Sequence, residues 1–383
     1  MDVIPLVDLR PQLSQVKQEV MTAIGTVIEG QNFINGPEVA TFETAMADYL
    51  GAEFAIGVSS GTDALLMTLM ALEIGPQDEV ITTPFSFVAS AEIIRRVGAR
   101  PVFADVEHET ALIRPAAVSQ HLSSHTKAII PVHLYGQMCA IEELTSLSKE
   151  RDVPILEDCA QSLGARLNRK AAGTFGIAGA FSFFPTKNLG GWGDAGMLVT
   201  NDGQLAKRLR QIRNHGASGR DKYEHLGGNF RLDTIQAAVL SVKLRYLDEW
   251  LLARKKAAAY YNQLLVQAGL SAGPNETRHP GHRIIPPLVS EDAQHTYNLY
   301  VVRAERRDEL KKHLAQVGVT SQVYYPTPIH LQACFADLGY REGDLPVAEE
   351  IARTTLALPF YAEISRPVQQ RVVESISEFY HRS

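Results

Sequence analysis

Between Pro37 and Thr200 the chain alternates short β-rich runs with stretches of helical apolar spacing, and this alternation sharply limits the folds open to it. Residues 79–83, 100–104, 127–132 and 154–157 are bounded by turn residues and carry few interior charges, the pattern of strands buried on both faces. Residues 62–74, 88–97 and 140–150 interleave with them and predict helices. Such crossover units require a mostly parallel sheet with helices on both faces. Residues 181–184 and 196–200 add two strands close in sequence, so part of the sheet is expected to run antiparallel.

A chain of 383 residues exceeds what one core usually serves, which predicts a second lobe. Residues 232–268 read as strongly helical, with only Asp248 hinting at a break. Beyond Gly269 come the turn-rich words Gly273-Pro274-Asn275 and His279-Pro280-Gly281, a strand over 298–303, a helix over 306–317 and a strand over 319–325. Helices over 345–356 and 367–380 close the chain. The expected division is a large α/β domain over 1–250 and a smaller α+β domain over 251–383.

A net charge of −6 and a pI near 6.1 lack the basic footprint of nucleic-acid binding. The densest basic stretch, residues 207–213, has the apolar spacing of a helix with one solvated face. Cys139, Cys159 and Cys334 are too few and too far apart for a disulfide framework or a zinc site. The acidic start, Met1-Asp2-Val3, lacks the basic region of a signal peptide, and no apolar run reaches the roughly 18 residues of a membrane span. A cytoplasmic protein with no membrane or nucleic-acid partner is expected.

Three words carry chemistry. In Val58-Ser59-Ser60-Gly61-Thr62-Asp63, a strand runs into small residues and opens a helix at Thr62. A helix N-terminus presents free N–H groups and a positive dipole end to a phosphate, and Gly61 permits close approach. The same residues would equally serve as an ordinary Ser/Thr cap. In Pro154-Ile155-Leu156-Glu157-Asp158-Cys159-Ala160-Gln161, two acids stand at the carboxyl end of a parallel strand, where open α/β sheets place ligands. An acid there can act as a base, pair with a ligand cation, bind a metal or merely cap a helix. No His/Cys cluster at ligand spacing accompanies it, so no metal is expected. Finally, Lys187 follows the apolar Phe181-Ser182-Phe183-Phe184 and precedes Gly190-Gly191-Trp192-Gly193. A lysine desolvated in such surroundings loses basicity and attacks carbonyls as the free amine, whereas a surface lysine would only snorkel.

Gly191-Trp192-Gly193-Asp194-Ala195-Gly196 matches GxGxxG letter for letter. That fingerprint must open a helix, and Met197-Leu198-Val199-Thr200 is a strand pattern, which excludes a dinucleotide loop. HExxH and P-loop words do not occur.

A phosphate loop, a strand-end acid and a lysine 29 positions later form the kit for pyridoxal phosphate. Their wording closely resembles the DegT/DnrJ/EryC1/StrS family of sugar aminotransferases: Ser60-Gly61-Thr62-Asp63-Ala64-Leu65, Glu157-Asp158-Cys159-Ala160-Gln161-Ser162 and Ser182-Phe183-Phe184-Pro185-Thr186-Lys187-Asn188. Asn214-His215-Gly216 and Gly228-Asn229-Phe230-Arg231-Leu232-Asp233 extend the likeness, which runs over nearly the whole chain. The resemblance implies the aspartate-aminotransferase-like fold type I and a homodimer with shared active sites. By it, Lys187 bonds the cofactor, Asp158 pairs with the pyridine nitrogen and Gln161 lies near the ring oxygen. Ser182 with Gly61 and Thr62 holds the phosphate, Phe87 stacks on the ring, and Asn229 reaches the phosphate of the neighbouring subunit's site. Cys159 stands where alanine is common, and Ala195 where many relatives have glycine. Sister dehydratases carry histidine in place of Lys187, so lysine points to amino transfer.

The resemblance further implies a ping-pong reaction in which L-glutamate or glutamine donates its amine to a dTDP- or UDP-linked keto-hexose. Arg231, Lys243, Arg254, His133, Tyr135, Tyr324, Tyr325 and His330 lie in words resembling the branch that aminates C-3. Of these, Arg231, Tyr324, Tyr325 and His330 are expected to contact substrate. Amination at C-4, or a regulatory protein that keeps the fold without turnover, are the alternatives.

Overall fold

The computed structural model describes residues 3–273, 282–289 and 293–381. Seven strands build the central sheet: β1 (Phe54–Val58), β2 (Glu79–Thr82), β3 (Arg100–Phe103), β4 (Thr126–Ile130), β5 (Leu156–Asp158), β6 (Ala178–Ser182) and β7 (Gly196–Thr200). Ladders give β1-β7-β6-β5 and β3-β2-β4. The parallel bridges Ile129↔Ile155 and Val132↔Asp158 join β4 to β5, so the order is β1-β7-β6-β5-β4-β2-β3. Only β7 runs against the rest.

Alternation along each strand divides the core. Ile56, Val80, Ala128, Ile130, Leu156 and Leu198 join a cluster on one face, and Ala55, Ile81, Ile129, Phe181 and Met197 join another on the opposite face. Such period-two sorting is what a sheet covered on both sides demands. Among the covering helices, α1 (Arg10–Gly30), α2 (Pro37–Leu50), α3 (Gly61–Ala71), α4 (Ala89–Arg96), α5 (Pro115–His121) and α6 (Ile141–Arg151) precede β5. After β7 come α7 (Gly203–Arg213), α8 (Thr234–Leu244) and α9 (Leu247–Gln267). The long helical run thus breaks at Arg245 and Tyr246, and Asp248 falls in the first turn of α9, where its carboxylate accepts the Tyr49 hydroxyl at 2.8 Å.

The second lobe holds β8 (Ile284–Ile285), β9 (Tyr300–Ala304), α10 (Arg307–Gln316), α11 (Pro346–Thr354), β10 (Thr355–Leu358) and α12 (Arg366–His381). Two expectations need correcting here. The run 319–325 is no strand, because it pairs only at single points with two different partners, Ile4↔Val319 and Gln322↔Ala357. The helix expected over 345–356 stops at Thr354, and Thr355–Leu358 continues as β10 in register with Tyr300–Arg303. The β-branched pair Thr354-Thr355 and the following Pro359 favour that change.

The contacts around the expected boundary at 250/251 are these. That point lies inside α9, and Phe335, Leu338, Ala348 and Ile351 pack in the large lobe's cluster. Asp105 accepts the N–H groups of Val347 and Ala348 at 3.1 and 3.0 Å, fastening α11 to the large sheet. The turn words Pro274-Asn275 and His279-Pro280-Gly281 lie outside the described residues.

Phe42 of α2 is fully buried and meets Phe183 edge-on, with centroids 5.4 Å apart, at the base of the loop bearing Lys187. Phe42→Ala should therefore cost about 3–5 kcal/mol in urea unfolding. A loss below ~1 kcal/mol would show that this contact does not hold α2 to the sheet.

Candidate active site

Because β1, β2, β5 and β6 run parallel, their carboxyl ends deliver Ser59–Ser60, Phe85–Phe87, Asp158 and Ser182 to one edge of the sheet. The antiparallel β7 brings its first residue, Gly196, to the same edge.

At α3 the Ser60 side chain caps the helix by accepting the Asp63 N–H at 3.0 Å, and Asp63 in turn accepts the hydroxyls of Ser59 and Ser60 at 2.6 and 3.0 Å. Both the cap and the phosphate readings draw on this one geometry, since the cap satisfies a single N–H and leaves those of Gly61 and Thr62 at the open end. A Cβ on Gly61 would stand 2.9 Å from Ser182 Cβ, and one on Gly196 would lie 2.3 Å from the Ser60 carbonyl carbon. Only hydrogen fits at either place, so the helix end, Ser182 and β7 form one tight cradle. The Ser182 oxygen accepts the Phe184 N–H at 3.3 Å, leaving its own proton for a ligand.

Asp158 is 5% exposed, and burial raises its carboxyl above the usual range, opposed by the Ala160 N–H at 3.0 Å and by the Lys187 charge. Among the described residues no cation stands within ion-pair distance of it. Lys187 sits on the loop after β6, its N–H bonded to the Phe184 carbonyl at 2.8 Å. Desolvation pushes its amine down to about 8 against the pull of Asp158. Gln161 is fixed at both ends of its amide. Its oxygen accepts the Tyr135 N–H at 2.9 Å, and its nitrogen donates to the Tyr325 hydroxyl at 3.2 Å. One amide N–H therefore remains for an acceptor in the cleft. Phe87 is 56% exposed, its ring 6.4 Å from that of Tyr325.

Other candidates stand differently. Tyr325 is part of this constellation, and the Tyr324 carbonyl accepts the Tyr135 hydroxyl. His330 is buried among Phe103 and Tyr340, with Nε2 3.2 Å from Glu349 and Nδ1 without a hydrogen-bond partner among the described residues. Arg231 donates to Asn214 of its own chain at 2.7 Å, and Asn229 is exposed. Their segment lies against the phosphate loop through Val58↔Arg231 and the Ser59 N–H to Phe230 carbonyl bond, 3.0 Å.

Behind Asp158, the ligand atoms of His133, Glu157 and Cys159 lie within 4.8 Å of one another. Glu157 accepts His133 Nε2 at 3.0 Å and the N–H groups of Gly173, Phe175 and Gly176 at 2.8, 2.7 and 2.7 Å. His133 Nδ1 accepts the Cys139 N–H at 3.2 Å, and burial pushes the Cys159 thiol up to about 12. The lone pairs a metal would need are engaged, and the network serves as a strut under β5. The role of Tyr135 in holding Gln161 was not legible from spacing.

The donor set suits pyridoxal phosphate: a buried acid lacking a cation, an amide N–H, a helix-end cradle, and an amine of lowered basicity. The model of the DegT/DnrJ/EryC1/StrS aminotransferase family matches residues 14–377. A pleiotropic regulatory protein of Geobacillus stearothermophilus is 44% identical over 98% of both chains. The UDP-N-acetyl-3-dehydro-alpha-D-glucosamine 3-aminotransferase of Acidithiobacillus ferrooxidans is 37% identical over 99% of this chain and 98% of its own. The crystal structure of S. venezuelae DesV in complex with a ketimine intermediate superposes with a TM-score of 0.94, at 37% identity and full coverage of both chains.

Borohydride trapping of pyridoxal phosphate on Lys187 of the apo protein should rise with pH through a midpoint near 8, because the amine reacts once it has lost its proton. A midpoint at the ~10.4 of an ordinary lysine would refute the desolvated setting.

Proposed function

The chain belongs to the DegT/DnrJ/EryC1/StrS aminotransferase family, a family of pyridoxal-phosphate-dependent enzymes, and we propose that it moves an amino group from L-glutamate to C-3 of a UDP- or dTDP-linked keto-hexose. The observation that carries this reading is the pairing of a buried, cation-free Asp158 with an amine of lowered basicity at Lys187, both on one sheet edge. The C-3 position is supported by the name of the Acidithiobacillus relative. The three free cysteines accord with a cytoplasmic setting.

Pyridoxal phosphate, when bound, supplies an electrophilic carbonyl and an electron sink. Asp158 holds the proton on the ring nitrogen, and its own burial makes a charged hydrogen-bond partner strongly favoured. Gln161 offers its remaining N–H to the ring oxygen, its amide kept from flipping by Tyr135 and Tyr325. The α3 end and Ser182 hold the phosphate. With its amine lowered to about 8, a fraction of Lys187 is unprotonated near neutrality. Its Nζ would take the proton from the donor's α-carbon in the first half-reaction and return one to the acceptor carbon in the second, exchanging it with the cofactor in between. Aromatic walls from Phe85, Phe87 and Tyr325 shield that transfer from water.

A regulatory role without turnover is the second reading, favoured by the name of the 44% identical Geobacillus protein. The intact set of Asp158, Gln161 and Lys187 supports catalysis instead. The loaded yellow protein should bleach on adding L-glutamate, and a nucleotide 3-keto sugar should then restore the colour while gaining an amine detectable by mass spectrometry and NMR. A protein that never bleaches with any amino donor would establish the regulatory reading.

Asp158→Asn should keep the cofactor yet lose about 10²-fold in rate per mole bound, because a neutral amide cannot hold the ring proton. Full activity in whatever fraction folds would reduce Asp158 to a helix cap.

Asn229 and Arg231 are assigned to the site of the neighbouring subunit in a homodimer, as donors to phosphate. The exposure of Asn229 beside Gly227 and Gly228 supports this, with Arg231 half-buried next to it. Mixed dimers of Lys187→Ala and Asn229→Ala subunits should regain activity well above either parent, since one of their two sites is then fully wild-type. No recovery after demonstrated exchange, with Asn229→Ala itself impaired, would place each Asn229 in its own subunit's site.

A further inference from the structure

Lys243 lies on α8, 3% exposed, at the edge of a cavity of about 490 Å³ walled by Leu13, Val16, Pro185 and Trp192. Burying an ammonium there carries a desolvation cost of several kcal/mol that a methionine of similar length would avoid. Among the described residues no carboxylate stands within ion-pair distance of Nζ. Glu363 acts on it only at longer range, and burial still pushes the amine down to about 8. What Nζ does contact is a backbone atom, the Gly190 carbonyl, three residues beyond Lys187.

That carbonyl belongs to a loop whose middle is held by Leu189, buried in the core, and by the Asn188 amide, which donates to the Thr296 carbonyl at 3.5 Å. The Gly191 N–H closes its base on the Phe183 carbonyl at 2.8 Å, and the Lys187 N–H turns its crown on the Phe184 carbonyl. On its outgoing limb, Gln236, also of α8, accepts the Trp192 N–H at 2.9 Å. A Cβ on Gly190 would lie 2.2 Å from the Pro185 oxygen, so the two limbs are in contact and moving one moves the crown. The charged bond from α8 therefore acts on the segment that sets where the Lys187 amine points.

We propose that Lys243 is a positioning residue for Lys187, whose buried ammonium fastens the lysine-bearing loop to α8 through the Gly190 carbonyl. The inference rests on the role given to Lys187 above, and its test separates the two. Lys243→Met keeps the side-chain length and removes the charged donor, and Lys243→Arg keeps a charged donor at the same helix position.

Three readouts are taken: thermal unfolding of the apo protein, deuterium uptake of the peptide covering residues 184–192, and pyridoxal phosphate affinity by absorbance titration with borohydride trapping to identify the modified lysine. For Lys243→Met the expected result is a melting temperature within about 5 °C of wild type. Uptake should rise in 184–192 but not elsewhere, and affinity should weaken about tenfold, the equivalent of one charge-assisted hydrogen bond. Lys243→Arg should recover part of both. Unchanged uptake and affinity in Lys243→Met would overturn the proposal, as would a general loss of stability, which would make Lys243 a structural residue. Trapping at a lysine other than Lys187 in the wild type would instead refute the role of Lys187 itself.

Discussion

A carboxyl group kept from water with no cation beside it is the constraint around which the molecule is arranged. Asp158 answers that depth by holding on to its proton, its carboxyl raised above the usual range by burial, an effect opposed by the Ala160 N–H at 3.0 Å and the Lys187 charge. Its neighbour is treated differently. Glu157, its neighbour in sequence, points to the other side of β5 and draws together three backbone N–H groups and His133. Adjacent residues of one strand thus divide the labour: the inward one braces, and the edge-facing one is left for chemistry. Period-two geometry makes that division automatic.

The same geometry decides which parts of the fold were legible in the sequence. Strands such as 79–83 and 100–104 were readable because burial on both faces leaves continuous apolar runs with turn residues at their ends. The phosphate loop, Asp158, Gln161, Ser182 and Lys187 were readable because chemistry demanded particular residue types at strand ends. Helix α1 is weakly marked although Val16, Val20 and Val27 repeat at helical spacing, since Met21 and Ile28 on its other faces are apolar and exposed and blur the stripe. The β10 segment looked helical because Leu356, Ala357 and Leu358 extend the apolar spacing of α11, and only pairing with β9 reveals it.

Long-range contacts account for the rest. His330 stands six residues after Tyr324 in an aromatic-rich word, and nothing local shows that its ring turns away toward Glu349. The hold of Tyr135 on Gln161 joins residues 26 apart through a backbone N–H that every residue except proline possesses. Contacts across the 250/251 boundary are of the same long-range kind. Residues 333–352 belong by sequence to the end of the chain, but Phe335 stacks edge-on against Phe103 at 6.1 Å and Tyr340 accepts the Phe103 N–H at 3.1 Å.

The N-terminal segment has a consequence for how the chain is made. Ile4 donates its N–H to the Gly318 carbonyl at 2.8 Å and accepts the Thr320 N–H at 3.0 Å, and the Leu6 carbonyl accepts the Phe360 N–H at 2.9 Å. Residues made early are therefore partnered by residues made much later. At about 5–20 residues per second, the segment waits roughly 15–60 s for its neighbours to emerge. During that interval the strands of the large sheet can pair, whereas α11 and the second lobe are still to come. A ribosome stalled before Gly318 would leave the sheet made but Gln161 without Tyr325, Asp105 without α11 and Ile4 without its partners.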